Sequence, residues 1–244
     1  MIEPSQTGSR QMLENRRVIL DSPGDPAANM ARDEEIAAQV RAGTAGPTLR
    51  IYRWSRPAIS LGHRQDLDEL PAALLERKLP IVRRPTGGGA VLHRPDELTY
   101  ALALPRNPSM PADPLRQIPG ILHRNLRDEL VRRWLVSPED LQLVETQPIA
   151  RHCAESATFS LLGAGCGGRR SRLTLCFESP VGGDLLYRGR KVAGSALRVW
   201  REALLIQGSI QDLPVAQGAL SRALLEAVAA GLGTVSSTLR APAL

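Results

Sequence analysis

Two short segments of the chain combine glycine with basic side chains. The stretch from Arg83 to His93, RRPTGGGAVLH, has two arginines, then three consecutive glycines, then a histidine. Because glycine has no side chain to pack into a core, three in a row let backbone amides approach another group closely. The segment from Gly189 to Ala196 repeats the combination of glycine and cation around Lys191. Together the two segments indicate an enzyme that handles an activated acyl group.

The first segment supplies candidate contacts for such a ligand. Guanidinium and imidazole donors on both sides of the glycines would converge on the group that the glycines admit. No Gly-Lys-Ser/Thr follows, so the stretch is not a P-loop, and it is not a dinucleotide fingerprint either. A flexible hairpin bend is the alternative. The predicted binding residues here are Arg83, Arg84, Thr86, Gly87, Gly88, Gly89 and His93.

Lys191 and Cys176 are the candidate catalytic residues. An ammonium beside a thioester carbonyl stabilises the developing oxyanion, and the small residues Gly194, Ser195 and Ala196 leave room for a chain alongside. Cys176 comes fifteen residues before Lys191, a separation that suits neighbouring strands of a hairpin. A nearby ammonium lowers the pKa of a thiol and makes it nucleophilic. The alternatives are an exposed lysine at a strand edge and a buried strand cysteine.

The composition narrows the class of protein. With 244 residues, 43% of them hydrophobic and 23% charged, the chain suits one large globular domain. No run reaches the roughly 18 apolar residues of a membrane helix, and residues 1–17 lack the apolar core of a signal peptide. We therefore expect a cytoplasmic protein that does not enter a membrane.

Charge and cysteine content exclude several further classes. The net charge is +6, but the basic residues are scattered and aromatic residues make up only 3%, which disfavours nucleic acid and favours acidic protein partners. Lys78 and Lys191 are the only lysines among 31 basic residues, so an amine at position 191 is unusual for this chain. Three cysteines without a Cys-x-x-Cys or paired His/Cys spacing predict neither a disulfide framework nor a zinc site.

The elements that must position these residues follow no regular βαβ order. Strands are expected at 18–20, 49–54, 57–62, 81–84, 90–92, 98–104, 173–177, 183–187, 191–200 and 203–210, and helices at 27–42, 67–79, 114–134 and 220–230. The strands at 90–92 and 98–104 are expected to form a hairpin, and 151–172 a mobile loop. We therefore predict an α+β fold with mixed, mostly antiparallel sheets packed with helices. A flexible tail at 1–16 precedes a single catalytic domain at 17–244.

Several of these segments together resemble the lipoate–protein ligase and octanoyltransferase superfamily, which shares its fold with biotin–protein ligase. The matching segments, in the order of the family, are 29–34, 52–54, 57–62, 83–100, 184–198 and 207–210. By this resemblance Lys191 is the lysine that contacts the acyl carbonyl. Cys176, followed by Phe177, is similar to the cysteine of the cysteine-dependent octanoyltransferases.

The resemblance implies a reaction and its partners. Cysteine-dependent octanoyltransferases take octanoate from acyl carrier protein as a thioester on the enzyme. They then pass it to a lysine of a lipoyl domain, as in 2-oxoacid dehydrogenases, or of the glycine-cleavage H protein. Neither cofactor nor metal is implied for this reaction.

Two alternatives stay open. In an ATP-dependent lipoate ligase, Lys191, Arg83 and Arg84 would hold a lipoyl-adenylate formed with ATP and magnesium, and Cys176 would be incidental. The segment 181–183 and Leu197 differ from the pattern of the octanoyltransferases. These differences leave room for a catalytically idle module that only binds acyl-carrier or lipoyl partners.

Overall fold

The computed structural model describes residues 16–109, 111–145, 177 and 180–238, with the backbone alone for 233–238. Its strands are β1 (Arg17–Leu20), β2 (Thr48–Tyr52), β3 (Ala58–Leu61), β4 (Ile81–Arg83), β5 (Val91–His93), β6 (Leu98–Pro105), β7 (Leu141–Leu143), β8 (Leu185–Tyr187), β9 (Arg190–Val199) and β10 (Ala203–Ile210). Its helices are α1 (Pro26–Arg41), α2 (Ala72–Leu75), α3 (Ile118–Arg132) and α4 (Gln217–Thr238), with short 3-10 turns at Leu67–Glu69 and Asp113–Gln117.

The strands form two sheets. The larger has seven strands in the order β1-β2-β6-β10-β9-β8-β7, and every neighbouring pair is antiparallel except β1 with β2. The smaller has the order β4-β3-β5, in which β3 is parallel to β4 and antiparallel to β5. The predicted α+β fold with mostly antiparallel sheets is confirmed. Among the residues described, no helix is long and apolar enough to cross a membrane.

The larger sheet is covered on both faces. Helices α3 and α4 pack on one face over an apolar cluster that includes Tyr100, Leu102 and Ile206. Helix α1 and the smaller sheet cover the other face, where Ala101, Ala103 and Leu205 lie in a second cluster. Successive side chains of a strand point to opposite faces, so β6 and β10 contribute to both clusters.

Helix α1 illustrates how local sequence sets an element that positions the site. The carboxylate of Asp25 accepts a hydrogen bond from the Ala27 backbone N–H at 3.1 Å, and Pro26 occupies the first turn. Beyond the helix, Gly43 adopts a φ of +71°, which suits a residue without a side chain. The predicted apolar face is buried, and Asn29 and Asp33 are buried beside it.

Two sequence-based expectations were wrong. The segment 67–79 does not form one helix, because Leu70 precedes Pro71 and is extended, with φ −71° and ψ 141°. The strands expected at 90–92 and 98–104 do not form a hairpin: β5 pairs with β3 in the smaller sheet, whereas β6 pairs with β2 and β10 in the larger. The turn between them therefore crosses from one sheet to the other. The loop expected at 151–172 lies outside the described residues, and so does the strand expected at 173–177 except for Phe177, which is in a turn.

Candidate active site

A mostly apolar cavity lies between the two sheets. Met30 of α1, Trp54 and Val91 contribute apolar wall on one side, and small residues of β9 and β10 line the other. Thr99, Ser209 and Gly194 stand beside each other there, in register across β6, β10 and β9. A concave, largely apolar site with a few polar groups is typical of small-molecule binding.

The triple glycine forms a turn around the guanidinium of Arg84. Arg84 donates hydrogen bonds to the backbone carbonyls of Gly87, at 2.6 Å, and Gly89, at 2.7 Å. Gly88 has a φ of +88°. Its carbonyl oxygen lies so near Gly62 that a Cβ on residue 62 would collide with that oxygen. The close approach that the glycines allow is thus to the chain itself, and it holds the turn at the edge of the cavity.

Thr86 ties this turn to the larger sheet and to α1. Its hydroxyl donates to Gln207 Oε1 at 2.7 Å, and Gln207 Nε2 donates to Asp33 Oδ2 at 2.7 Å. Arg50 completes the chain by donating to Asp33 Oδ1 at 2.6 Å. Burial raises the pKa of Asp33, and the ion pair with Arg50 acts in the opposite direction. This buried network fixes the positions of Thr86 and of Gln207, which lines the cavity.

Arg83 does not join the other predicted residues at the cavity. Its Nη1 donates to the backbone carbonyls of Gly62, at 2.9 Å, and Gln65, at 2.6 Å, so it braces the loop after β3. Arg84 does line the cavity, but the donors described above point into the turn. The guanidinium groups of Arg83 and Arg84 therefore do not converge on a ligand site, contrary to what the sequence had led us to expect.

Lys191 lies beside the cavity, in the wall of an adjoining groove of about 1040 Å³, which we term the lysine groove. Its Nζ is 2.7 Å from Asp184 Oδ2, and the two side chains are only 1% and 4% exposed. Asp184 Oδ2 also accepts the Val181 backbone N–H at 2.7 Å. A Cβ at Gly194 would lie 2.6 Å from Lys191 Cε, so the glycine makes room for the lysine side chain.

Phe177 connects the lysine groove with the cavity. It lines both, and Lys191 Nζ lies 5.4 Å from the centre of its ring, within the range of a cation–π contact. Phe177 directly follows Cys176 in the sequence. Cys176 itself lies outside the described residues.

His93 is held rigidly in the cavity wall. Its Nδ1 is 2.6 Å from Glu97 Oε1, its Nε2 is 2.7 Å from Ser60 Oγ, and the ring stacks on Trp54 with centroids 3.9 Å apart. The sequence pattern predicted His93 as a binding residue but gave no indication of these three neighbours. Ser60 reaches the imidazole only because β3 and β5 pair in the smaller sheet.

A second groove of about 2020 Å³ opens on the other side of the glycine turn. It is lined by Gly87, Gly88 and Gly89, and by the basic side chains His63, Arg64, Arg116 and Arg198. Ser195 and Ala196 line both this basic groove and the cavity. The cavity is therefore flanked by two larger openings.

The predicted residues that the structure describes fall into five positions. Arg84, His93, Gly194, Ser195 and Ala196 line the cavity; Gly87, Gly88 and Gly89 line the basic groove; Lys191 lines the lysine groove; Thr86 braces the turn from behind, and Arg83 lies apart. Asp184, Ser60 and Glu97 were missed. Asp184 faces Lys191 across the β8–β9 hairpin, and its place seven residues before the lysine was the signal available. Within the described ranges, no group of three or more His, Cys, Asp or Glu residues could hold a metal ion.

Comparison with known proteins identifies a protein family and several relatives that the chain is similar to. Residues 25–135 match the family model of the lipoyl protein ligase A/B catalytic domain. Octanoyltransferase LipM of Oceanobacillus iheyensis is 32% identical over 202 residues, covering 82% of this chain and 64% of that relative. Octanoyltransferase LipM of Exiguobacterium sibiricum is 32% identical over 215 residues, covering 86% of this chain and 70% of that relative. The chain thus spans somewhat under two thirds of the first relative's length.

Solved structures give the same fold. A lipoate-protein ligase A crystallised with ATP superposes with a TM-score of 0.59 at 17% identity, covering 90% of this chain and 86% of the other. At that identity the likeness concerns the fold, and it confirms the lipoate-ligase-like architecture expected from the sequence.

Proposed function

Because the chain belongs to the lipoyl protein ligase A/B catalytic-domain family, we propose that it transfers an octanoyl or lipoyl group to a protein lysine through a thioester on Cys176. The acceptor is a lipoyl domain, as in 2-oxoacid dehydrogenases, or the glycine-cleavage H protein, and the donor is octanoyl-acyl carrier protein. The similarity to octanoyltransferases over four fifths of the chain supports the reaction. No cofactor takes part in it.

One observation carries the proposal. The buried Lys191–Asp184 pair lies next to an apolar cavity, and the residue that links the two is Phe177, the neighbour of Cys176 in sequence. An apolar cavity suits an acyl chain because burying methylene groups is favourable. A buried ammonium suits the carbonyl at the end of that chain, because it stabilises negative charge on the carbonyl oxygen.

The reaction proceeds in two halves. The Cys176 sulfur attacks the carbonyl of the carrier thioester while Lys191 stabilises the oxyanion, and the carrier thiolate leaves. The acceptor lysine then attacks the new thioester, an amide bond forms, and Cys176 is released. The acyl chain occupies the cavity in both halves, with Gly194 leaving room for Lys191 beside it.

The charge of the protein supports protein partners that are acidic. Both partners must bring a reacting group to the cavity, and the basic groove offers His63, Arg64, Arg116 and Arg198 along one opening. Opposite charge steers such encounters and accelerates association.

A turnover assay tests the proposal and separates it from the ligase alternative. The protein is incubated with octanoyl-acyl carrier protein and a lipoyl domain, with and without ATP and magnesium, and the products are weighed by mass spectrometry. We expect an octanoylated lipoyl domain without ATP. Modification that appears only with free lipoate and ATP would show a ligase, and binding without modification in both arms would show an idle module.

A further inference from the structure

His93 belongs to a hydrogen-bonded chain whose polarity can be worked out. Glu97 Oε1 lies 2.6 Å from His93 Nδ1 and also accepts the hydroxyls of Thr99, at 2.9 Å, and Ser209, at 2.8 Å. Its Oε2 accepts Gln211 Nε2 at 2.7 Å and the Arg94 backbone N–H at 3.0 Å. A carboxyl group that accepts from these four donors through both oxygens is an ionised acceptor, so His93 Nδ1 carries the proton.

The other end of the imidazole then has a defined role. With Nδ1 protonated, the neutral ring has its lone pair on Nε2, 2.7 Å from Ser60 Oγ. The Ser60 hydroxyl therefore donates to His93, and its oxygen also accepts Arg84 Nη1 at 3.1 Å. The Trp54 ring, stacked at 3.9 Å, keeps the imidazole plane in place. Ser60, His93 and Glu97 thus have the hydroxyl–base–carboxylate order of a proton relay, with the hydroxyl at the cavity wall.

The proposed reaction needs such a group in its second half. A lysine amine that has attacked a thioester must lose a proton before the amide is complete, and a positioned base accelerates that loss. Lys191 Nζ forms a buried ion pair with Asp184 Oδ2 at 2.7 Å. Of the other histidines in the described part of the chain, His123 is bonded to Tyr100 and Gly183 on the opposite face of the sheet, and His63 is exposed in the basic groove.

We propose that Ser60, His93 and Glu97 form a relay that accepts the proton of the attacking amine during acyl transfer. The inference rests on the proposed function and assigns it a further catalytic residue, Ser60, with His93 and Glu97 as its positioning partners. As the amine nitrogen bonds to the thioester carbon, its proton passes to Ser60 Oγ and the serine proton passes to His93 Nε2. The C–S bond then breaks, and His93 returns a proton through Ser60 to the departing Cys176 sulfur.

The test separates the two halves of the reaction and uses two nucleophiles. The octanoyl-enzyme is formed from octanoyl-acyl carrier protein and then discharged either by a lipoyl domain or by hydroxylamine. Hydroxylamine is a small, weakly basic nucleophile, and its nitrogen readily loses a proton to water once it has attacked the thioester. We expect His93→Gln and Ser60→Ala still to yield a full complement of acyl-enzyme, so that the rate of discharge can be measured separately from the rate of acylation. Both should discharge to the lipoyl domain on the order of 100-fold more slowly, while discharge to hydroxylamine is unchanged.

Controls distinguish a relay from a structural role. Glu97→Asp keeps a carboxylate and should recover part of the rate that Glu97→Gln loses. His123→Gln removes a buried histidine with two hydrogen bonds on the opposite face, and it should leave the ratio of the two discharge rates unchanged. Equal slowing of both nucleophiles in His93→Gln, or no slowing of either, would overturn the relay while the thioester mechanism stands. A wild-type protein that forms no acyl-enzyme would refute the proposed function, and the relay with it.

Discussion

On one face of the seven-stranded sheet, α3 buries Leu122, Leu126 and Leu130 in a continuous apolar cluster. On the other face, Asp33 of α1 and Glu97, next to β6, have buried carboxylates that are hydrogen-bonded through both oxygens. Apolar packing stabilises the first face without directional demands, whereas the polar network of the second fixes groups around a cavity. The helix-covered face therefore supplies stability, and the cavity face supplies geometry for chemistry.

The largest expected effect on stability is on the helix-covered face. Leu126→Ala removes a fully buried side chain and leaves a cavity, so the free energy of unfolding should fall by about 2–5 kcal/mol. Urea denaturation measures the change. The transfer rate per folded molecule should be unchanged, and a selective loss of transfer with intact stability would break the division between the faces.

Substitutions at two glycines, Gly194 and Gly208, test the difference between the two faces of the sheet. A Cβ at Gly194 would meet Lys191 Cε at 2.6 Å on the cavity face, whereas a Cβ at Gly208 would meet the buried ring of Tyr100 on the helix-covered face. Gly194→Ala should displace Lys191 from Asp184 and lower the transfer rate about 100-fold or more, because an oxyanion stabiliser is lost. The two measurements are steady-state transfer and urea denaturation.

Gly208→Ala is the matched variant: the backbone of Gly208 also borders the cavity, but the added Cβ would point at Tyr100 and away from Lys191. It should lower the free energy of unfolding by about 1–3 kcal/mol through overpacking. Its effect on transfer per folded molecule should be smaller than that of Gly194→Ala. If both variants lost the same property, the two faces would not be separable.

Acid should weaken the helix-covered face through His123. Burial lowers the pKa of His123 from its usual 6.5, although its hydrogen bond to the Gly183 carbonyl and the nearby Asp184 oppose the shift. Below about pH 6.5 the unfolded chain then binds more protons than the native protein, so the free energy of unfolding falls with the pH. His123→Gln should flatten this fall in urea titrations at pH 7 to 5.

The smallest expected effect is at the end of α3. The Trp134 N–H donates to the Val131 carbonyl at 2.9 Å and the Leu135 N–H to the Leu130 carbonyl at 3.0 Å, which is the pattern of a Schellman cap. Trp134 occupies the position that favours glycine, with a φ of +56° and a side chain 93% exposed. Trp134→Gly should therefore raise the free energy of unfolding by about 1 kcal/mol. Trp134→Ala keeps a Cβ and should not raise it.

Local patterns in the sequence predicted the elements well and the contacts between distant elements poorly. Helix α1 and the strands β9 and β10 were predicted within one or two residues, because periodicity and turn residues are local signals. The pairing of β3 with β5 was not predicted. Because that pairing brings Ser60 to His93, 33 residues away, Ser60 was missed as its neighbour.

The two arginines show the same limit at a smaller scale. Arg83 and Arg84 are alike in type and adjacent in sequence, yet one braces a loop and the other fills the glycine turn. Arg83 ends β4, and consecutive side chains leave an extended chain on opposite sides. Only the position of the strand relative to its neighbours decides which arginine faces the cavity.

The mass of the acyl-enzyme shows whether the octanoyl group is carried as a thioester on Cys176. Wild type and Cys176→Ser are mixed with octanoyl-acyl carrier protein in the absence of an acceptor, and the intact proteins are weighed, with Lys78→Met as a control for nonspecific acylation of lysine. We expect one octanoyl group on the wild type and on Lys78→Met, removable by hydroxylamine, and none on Cys176→Ser. An octanoyl adduct that persists on Cys176→Ser would contradict this expectation.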